Sequence, residues 1–211
     1  MEDNTSWNKV LKLTKCEYPA ILKYGNDWLN YNFSFETKIP AITDKDFPKE
    51  HQNFTFVVRA RDKGNGVFFQ CKPDGTIRPH LLTNGLFIVD DTNTIKFLAE
   101  FPIEKWIPVR IEVNGDNVVI NIFSVSATYK IPSARLLLPS NEVRSVMTLD
   151  KVLKLTDENK HPDTSKNPTS SEPKLAFDLD YEKGTVGFRE SGKETAMFRK
   201  IKIELLQPIY K

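Results

Sequence analysis

The sequence predicts an all-β fold, a two-sheet antiparallel β-sandwich formed by a single domain over residues 1–211. Short segments in which apolar and polar residues alternate recur along the chain, and turn residues separate them. No long helical segments alternate with these strands, which argues against a parallel sheet. The 14 Phe residues suit the half-buried faces of a sandwich, so we expect an aromatic-rich core.

The N-terminal half contains five predicted strands. In the first of them Tyr31, Phe33 and Phe35 alternate with polar residues. Residues 73–75 (Pro-Asp-Gly) and 84–85 (Asn-Gly) are turn sequences, because Pro presets φ while Gly and Asn tolerate a positive φ. The predicted strands are residues 28–39, 54–61, 66–71, 76–82 and 86–89.

The C-terminal half contains four more predicted strands, residues 105–113, 118–123, 184–189 and 196–206. The Asn-Gly pair at 114–115 predicts a type I′ hairpin turn between the first two. Residues 142–155 have apolar side chains at helical spacing for one or two turns. Residues 156–173 are rich in Pro, Ser, Asn and charge, and this composition predicts a solvated, mobile loop insertion.

Charge and hydropathy exclude several classes of partner. The net charge of +2 comes from 30 basic and 28 acidic residues without long blocks, which does not favour nucleic acid or a polybasic membrane contact. No apolar run approaches the roughly 18 residues that span a bilayer, so we expect no membrane insertion. The N-terminus lacks the features of a signal peptide. The residues therefore leave the compartment open, and they also leave Cys16 and Cys71 as either a disulfide or two buried thiols.

Motifs for catalysis are weak. The chain contains no nucleophile elbow, P-loop, dinucleotide fingerprint or metal-binding His pair. A glycosidase needs two carboxylates that flank one bond. Asp178 and Asp180 alternate correctly for this, and Glu36 is a further candidate, but solvent-facing acids at a strand edge explain the same pattern.

The loop at residues 61–66 is a candidate calcium site. Asp62 and Asn65 offer side-chain oxygens, and two glycines allow backbone carbonyls to approach the same point. The alternative is a turn in which Asp and Asn cap their own backbone.

A second set of polar residues is suited to binding the hydroxyl groups of a sugar. Arg59, Gln70, Arg78 and His80 together provide donors and acceptors for vicinal hydroxyls. Strand alternation places Arg59 and Arg61 on one face, and a buried Arg59 needs an acid, a carbonyl or a ligand as partner. An ion pair with Glu190 is the main alternative for it. The run at 184–192 adds Arg189 and Glu190 at the end of a strand.

Four runs in this order resemble a known family: FVVRARDKGNGVFFQ, GTIRPHLLTNG, VRIEVNGDNVVINI and GTVGFRESGKETAMFRKIKI. The chain resembles concanavalin A-like/laminin G-like carbohydrate-binding modules over about residues 26–206. It is most similar to the rhamnose-binding module of bacterial α-L-rhamnosidases and to the related 3-keto-disaccharide hydrolase domain.

The resemblance implies a concanavalin A-like jelly roll that binds a terminal sugar of a plant or host glycan without catalysis. Calcium at Asp62 and Asn65 would serve as cofactor. It also implies an extracellular, periplasmic or cell-surface module, a monomer or part of a larger glycosidase. A glycoside hydrolase domain and a laminin G-like protein-interaction module are the alternatives. The implied sugar-binding residues are Arg59, Gln70, Arg78, His80, Arg189 and Glu190.

Overall fold

A computed structural model describes residues 9–14, 18–41, 52–160, 173–190 and 195–206. Two large sheets face each other and contain nearly all of the strands. Sheet 1 has the strand order β1-β16-β3-β9-β10-β11, and all of its pairs are antiparallel. Its strands are β1 (Leu11–Thr14), β3 (Tyr31–Lys38), β9 (Ile107–Asn114), β10 (Asn117–Ile122), β11 (Val125–Lys130) and β16 (Thr195–Leu205).

Sheet 2 has the strand order β13-β7-β6-β5-β4-β15-β2, with β8 paired to β6. Its strands are β2 (Ala20–Ile21), β4 (Phe54–Asp62), β5 (Asn65–Cys71), β6 (Thr76–Thr83), β7 (Leu86–Val89), β8 (Ile95–Lys96), β13 (Val146–Thr148) and β15 (Thr185–Arg189). The pair β13–β7 is parallel, which departs from the predicted all-antiparallel pairing. The two-sheet β-sandwich itself is confirmed.

The core lies between the sheets and is rich in phenylalanine, as the composition predicts. Tyr31, Phe33 and Phe35 of β3 are buried while the residues between them are partly exposed. The rings of Phe188 and Phe198, one from each sheet, stack with their centroids 4.0 Å apart. Aromatic packing of this kind ties the two sheets together.

Residues 134–139, 149–160 and 174–179 form regular structure outside the two large sheets. A small sheet pairs β12 (Ala134–Pro139) with β14 (Lys174–Leu179), and helix α1 (Leu149–Lys160) packs beside β12. The predicted loop at 156–173 is therefore wrong for its first residues, which are helical, and residues 161–172 lie outside the described part of the chain. Thr156 explains part of the difference, because its hydroxyl donates to the Val152 carbonyl (2.8 Å) and accepts from the Leu137 amide (3.1 Å). This tertiary contact outweighs the low helix propensity of Thr.

Among the described residues, no helix has the length and apolar character needed to cross a membrane. Cys71 is a buried free thiol, and burial raises the pKa of this thiol. Cys16 lies outside the described residues.

Candidate functional site

The outer face of sheet 2, which points away from the core, has rows of side chains that run across the strands. In one row the strand register places Arg189 of β15 beside Thr55 of β4, Gln70 of β5 and Arg78 of β6. In the next row Phe68 of β5 lies beside His80 of β6. Because side chains on one face repeat every two residues, Phe68 shares the outer face with Gln70.

These rows form the floor of a cavity of about 430 Å³, which we call the sheet 2 cavity. Its volume lies within the range typical of small-ligand sites. The floor consists of Thr55, Phe68, Gln70, His80, Phe87 and Arg189. The rim comes from the segment before β2, the β4–β5 and β6–β7 turns, and β13: Tyr18, Pro19, Lys63, Gly64, Gly85 and Val146.

Arg189 lies across the aromatic part of this floor. Its guanidinium carbon is 5.6 Å from the ring centroid of Phe68 and 5.2 Å from that of Phe87. A guanidinium at this distance from two aromatic rings is stabilised by cation–π interactions. The sheet 2 cavity therefore presents a positioned cationic donor above an apolar surface.

His80 is a neutral imidazole within the same floor. Only 8% of its surface is exposed, and its ring centroid is 4.8 Å from that of Phe87. Burial, followed by the charges of Arg78, Arg189 and Lys72, lowers the pKa of His80 to about 3. The Nε2 atom is buried without a hydrogen-bond partner in the described part of the chain. A neutral imidazole offers one donor and one acceptor.

At the rim, Tyr18 and Lys63 lie close together. The Lys63 Nζ is 5.6 Å from the ring centroid of Tyr18, whose surface is 62% exposed. The sequence analysis did not single out these two residues, Phe68 or Phe87. Alternation from Gln70 could have identified Phe68 as an outer-face residue, whereas Tyr18 reaches the cavity by a contact between distant parts of the chain.

The structure thus brings together three of the predicted sugar-binding residues, Gln70, His80 and Arg189. Arg78 lies at the end of the first row, where its Nε is 3.0 Å from the Asp91 Oδ1 in a short 3-10 turn (Asp91–Asn93). Glu190 is fully buried, and its Oε1 accepts from the Thr55 amide (3.4 Å). The charge of Glu190 also contributes to the raised pKa of the core residue Cys71, which shows that Glu190 lies on the core side of the sheet. Glu190 therefore does not line the sheet 2 cavity.

Arg59 is also placed away from this cavity. A β-bulge shifts the register between Val58 and Asp62, and Arg59 has a φ of +56°. The bulge turns Arg59 into the protein, where none of its surface is exposed, while Arg61 stays partly exposed and lies 3.6 Å from Asp180. The bulge therefore separates Arg59 from Gln70, Arg78 and His80, with which the sequence analysis grouped it, because a bulge changes the side on which a residue projects.

The partners of Arg59 are backbone carbonyls. Its Nη1 donates to the Trp28 carbonyl (2.9 Å) and its Nη2 to the Gly115 carbonyl (2.7 Å). Its backbone N–H donates to the Tyr31 hydroxyl (3.1 Å). Burial lowers the pKa of Arg59. The sequence allowed either carbonyls or Glu190 as partners of this guanidinium, and in the structure it pairs with carbonyls.

The β4–β5 turn, residues 61–66, does not fit a calcium site. The Asp62 Oδ1 accepts from the Gly64 amide (2.7 Å), and both Asp62 oxygens accept from the Asn65 Nδ2 (2.9 and 3.0 Å). The Asn65 Oδ1 accepts from the Asn84 amide (3.0 Å), so Asn65 directs its nitrogen rather than its oxygen at Asp62. Calcium requires six to eight oxygen ligands. No group of three or more His, Cys, Asp or Glu side chains suited to a metal ion occurs among the described residues.

The candidate catalytic acids lie in separate ion pairs. Asp178 is 3.8 Å from Arg135, Asp180 is on the side of a different cavity at the end of the sandwich, and Glu36 is on the outer face of sheet 1. A hydrogen bond from Lys200 has the largest effect on the pKa of Glu36, and together with one from Arg199 it lowers that pKa although burial opposes them. A general acid needs a raised pKa instead.

No protein-family model and no curated protein sequence matches the chain. Solved structures share its fold. The carbohydrate-binding module CBM66 from Bacillus subtilis is 11% identical with a TM-score of 0.53, over 92% of this chain and 85% of that one. A β-fructofuranosidase from Aspergillus kawachii, complexed with glycerol, is 8% identical with a TM-score of 0.51, over 94% of this chain and 27% of that one. The predicted concanavalin A-like β-sandwich is thereby confirmed as the fold.

Proposed function

We propose that this chain binds carbohydrate noncovalently in the sheet 2 cavity. The observation that carries the proposal is the floor of that cavity, where Gln70, His80 and Arg189 surround the rings of Phe68 and Phe87. Sugars have hydroxyls that exchange hydrogen bonds and C–H faces that pack on apolar surface. A few polar groups placed within an apolar cavity provide both kinds of contact.

The shape of the cavity favours a terminal sugar. Elements rise around the floor at both edges of the sheet, with Tyr18 and Pro19 before β2 on one side and Val146 of β13 on the other. A rim at both edges leaves little room for a chain to continue across the sheet, so a glycan would enter by its end. Tyr18, largely exposed at this rim, is placed to pack on a sugar face.

The fold likeness to a carbohydrate-binding module supports the same proposal. The proposed contacts are side chains alone, because the Asp62 turn satisfies its own polar groups. EDTA should therefore leave sugar binding unchanged. Each candidate acid pairs with a different cation, Asp178 with Arg135, Asp180 with Arg61 and Glu36 with Arg199 and Lys200, which favours binding over hydrolysis.

A glycan array followed by titration calorimetry tests the proposal. A glycan should bind saturably, and Gln70→Ala should weaken its binding by about fivefold to thirtyfold, since one or two hydrogen bonds of about 1 kcal/mol each are lost. Asn121→Ala removes the same amide group from the outer face of sheet 1 and is the matched control, which should keep the wild-type Kd. Equal weakening in both variants, or no binding to any glycan, would overturn the proposal.

A further inference from the structure

Within the described part of the chain, the charged residues that line the sheet 2 cavity are of one sign. Lys63 and Arg189 line it, and no Asp or Glu does so among the described residues. The whole chain has 30 basic and 28 acidic residues, so an excess of cations in one cavity is not a consequence of composition. Within the described chain Lys63 makes no ion pair, and its nearest aromatic contact is Tyr18 at the rim.

The described acids that are near this cavity in the fold, Asp62, Asp91 and Glu190, do not line it. Asp62 accepts hydrogen bonds from Gly64 and Asn65 within its own turn. Asp91 forms an ion pair with Arg78 beside the cavity, and Glu190 is buried beneath it. A neutral sugar site usually needs acceptors for hydroxyl protons, and ionised carboxylates are strong acceptors. Among the described lining residues, the acceptors Thr55, Gln70 and His80 are neutral, whereas the two charged groups, Lys63 and Arg189, only donate.

Three cations lie close enough to His80 to affect its pKa. Three cations, Arg78, Arg189 and Lys72, each lower the pKa of its imidazole in addition to the effect of burial. These cations make the cavity floor a positive environment, in which a further positive charge on His80 is unfavourable. A negative charge at the same place is favoured for the same reason.

We infer that the sugar bound in the sheet 2 cavity carries an acidic group, a carboxylate or a sulfate, and that Lys63 and Arg189 contact it. This inference rests on the proposed function. The guanidinium is a rigid fork that matches a carboxylate or sulfate with two parallel hydrogen bonds, and its contacts with Phe68 and Phe87 hold its plane in place. The aromatic floor and the Gln70 amide are left for the sugar ring.

Matched pairs of glycans test the inference: uronic acid oligosaccharides with their methyl esters, and sulfated oligosaccharides with their desulfated forms. An acidic glycan should bind, and removal of its charge should weaken binding at least tenfold, as expected for charge-assisted hydrogen bonds. The two pairs distinguish carboxylate from sulfate. Lys63→Gln should weaken the acidic glycan about tenfold while changing the Kd of the uncharged partner less than twofold, and Lys63→Arg should restore acidic binding.

Lys130→Gln is the control, because Lys130 is an exposed cation on sheet 1 that pairs with Asp116. Equal binding of the charged and uncharged partners would overturn the acidic preference and leave the proposed function standing. Binding of an acidic glycan that survives both Lys63→Gln and Arg189→Gln would also overturn it. If polyglutamate binds as tightly as the acidic glycan, the binding is a nonspecific charge attraction, and the inference of an acidic sugar is overturned. If no glycan binds, acidic or neutral, the proposed function itself is overturned.

Discussion

Replacement of Arg59 by Met distinguishes a structural role from a sugar-binding role for this residue. The sequence predicts a sugar contact, whereas the structure places the guanidinium inside the protein with hydrogen bonds to the Trp28 and Gly115 carbonyls. Met retains most of the apolar volume of the Arg side chain. Both residues experience the same strain at a φ of +56°, so that strain cancels in the comparison.

The expected loss of stability follows from the two hydrogen bonds. A hydrogen bond from a charged donor contributes about 1.5–3 kcal/mol, so two of them contribute about 3–6 kcal/mol. Removal of a buried charge offsets part of this loss, because the guanidinium no longer needs to be desolvated on folding. We expect Arg59→Met to lower the free energy of unfolding by about 3 kcal/mol.

Urea denaturation measures this difference, with Arg61→Met as the control. Arg61 is partly exposed and lies 3.6 Å from Asp180, so its replacement should change the free energy of unfolding by less than about 1 kcal/mol. The sugar Kd should stay unchanged in folded Arg59→Met, because Arg59 does not line the sheet 2 cavity. Wild-type stability combined with lost sugar binding would refute the reasoning and restore the role predicted from the sequence.

Three further outcomes are expected. The pKa of His80 is about 3 in the folded chain and about 6.5 when unfolded, so the unfolded chain binds an extra proton and stability falls as the pH drops below 6.5. His80→Gln should reduce this loss of stability between pH 7 and 4.5 by about 2.5 kcal/mol in urea denaturation, and an unchanged loss would contradict the neutral imidazole. In a Cys16→Ser background, Cys71 should react with Ellman's reagent only after denaturation, since burial raises the pKa of its thiol; reaction in the native state would show that it is accessible. A Cβ at Gly187 would clash with the Ala20 carbonyl oxygen, so Gly187→Ala should destabilise by about 1–3 kcal/mol in the same urea assay, and wild-type stability would mean that β2 can shift freely.

Elements with strict alternation could be predicted well from the sequence. The predicted strand at 86–89 has the same bounds as β7, and that at 105–113 overlaps β9, in which every second residue is buried. The predicted hairpin turn between β9 and β10 is also present. Its central residues are Gly115, with a φ of +58°, and Asp116, which has no positive φ, so it is not the type I′ turn that the Asn-Gly pair predicts.

Several of the elements that the sequence analysis missed depend on partners distant in the chain. Strands β2 and β8 contain two residues each, and β13 pairs in parallel with β7. Such short segments have no periodicity of their own to detect. Tyr18, in the segment before β2, reaches the cavity for the same reason, and the candidate site could be only partly predicted because its rim is assembled from these edge segments.

The bulge in β4 decides which arginine serves the sheet 2 cavity. Strict alternation from Thr55 would carry Arg59 to the outer face, but the register shift turns it inward, and the cavity receives its guanidinium from Arg189 on the neighbouring strand. Glycines make this possible: a Cβ at Gly66 would lie 3.2 Å from the Ala60 Cα, and one at Gly184 would lie 2.7 Å from the Arg59 carbonyl oxygen. Glycine on both strands beside one segment is a signal for close backbone approach that the sequence already contains. Close backbone approach at Gly66 and Gly184 therefore accompanies the inward turn of Arg59, and Arg189 supplies the guanidinium of the sheet 2 cavity.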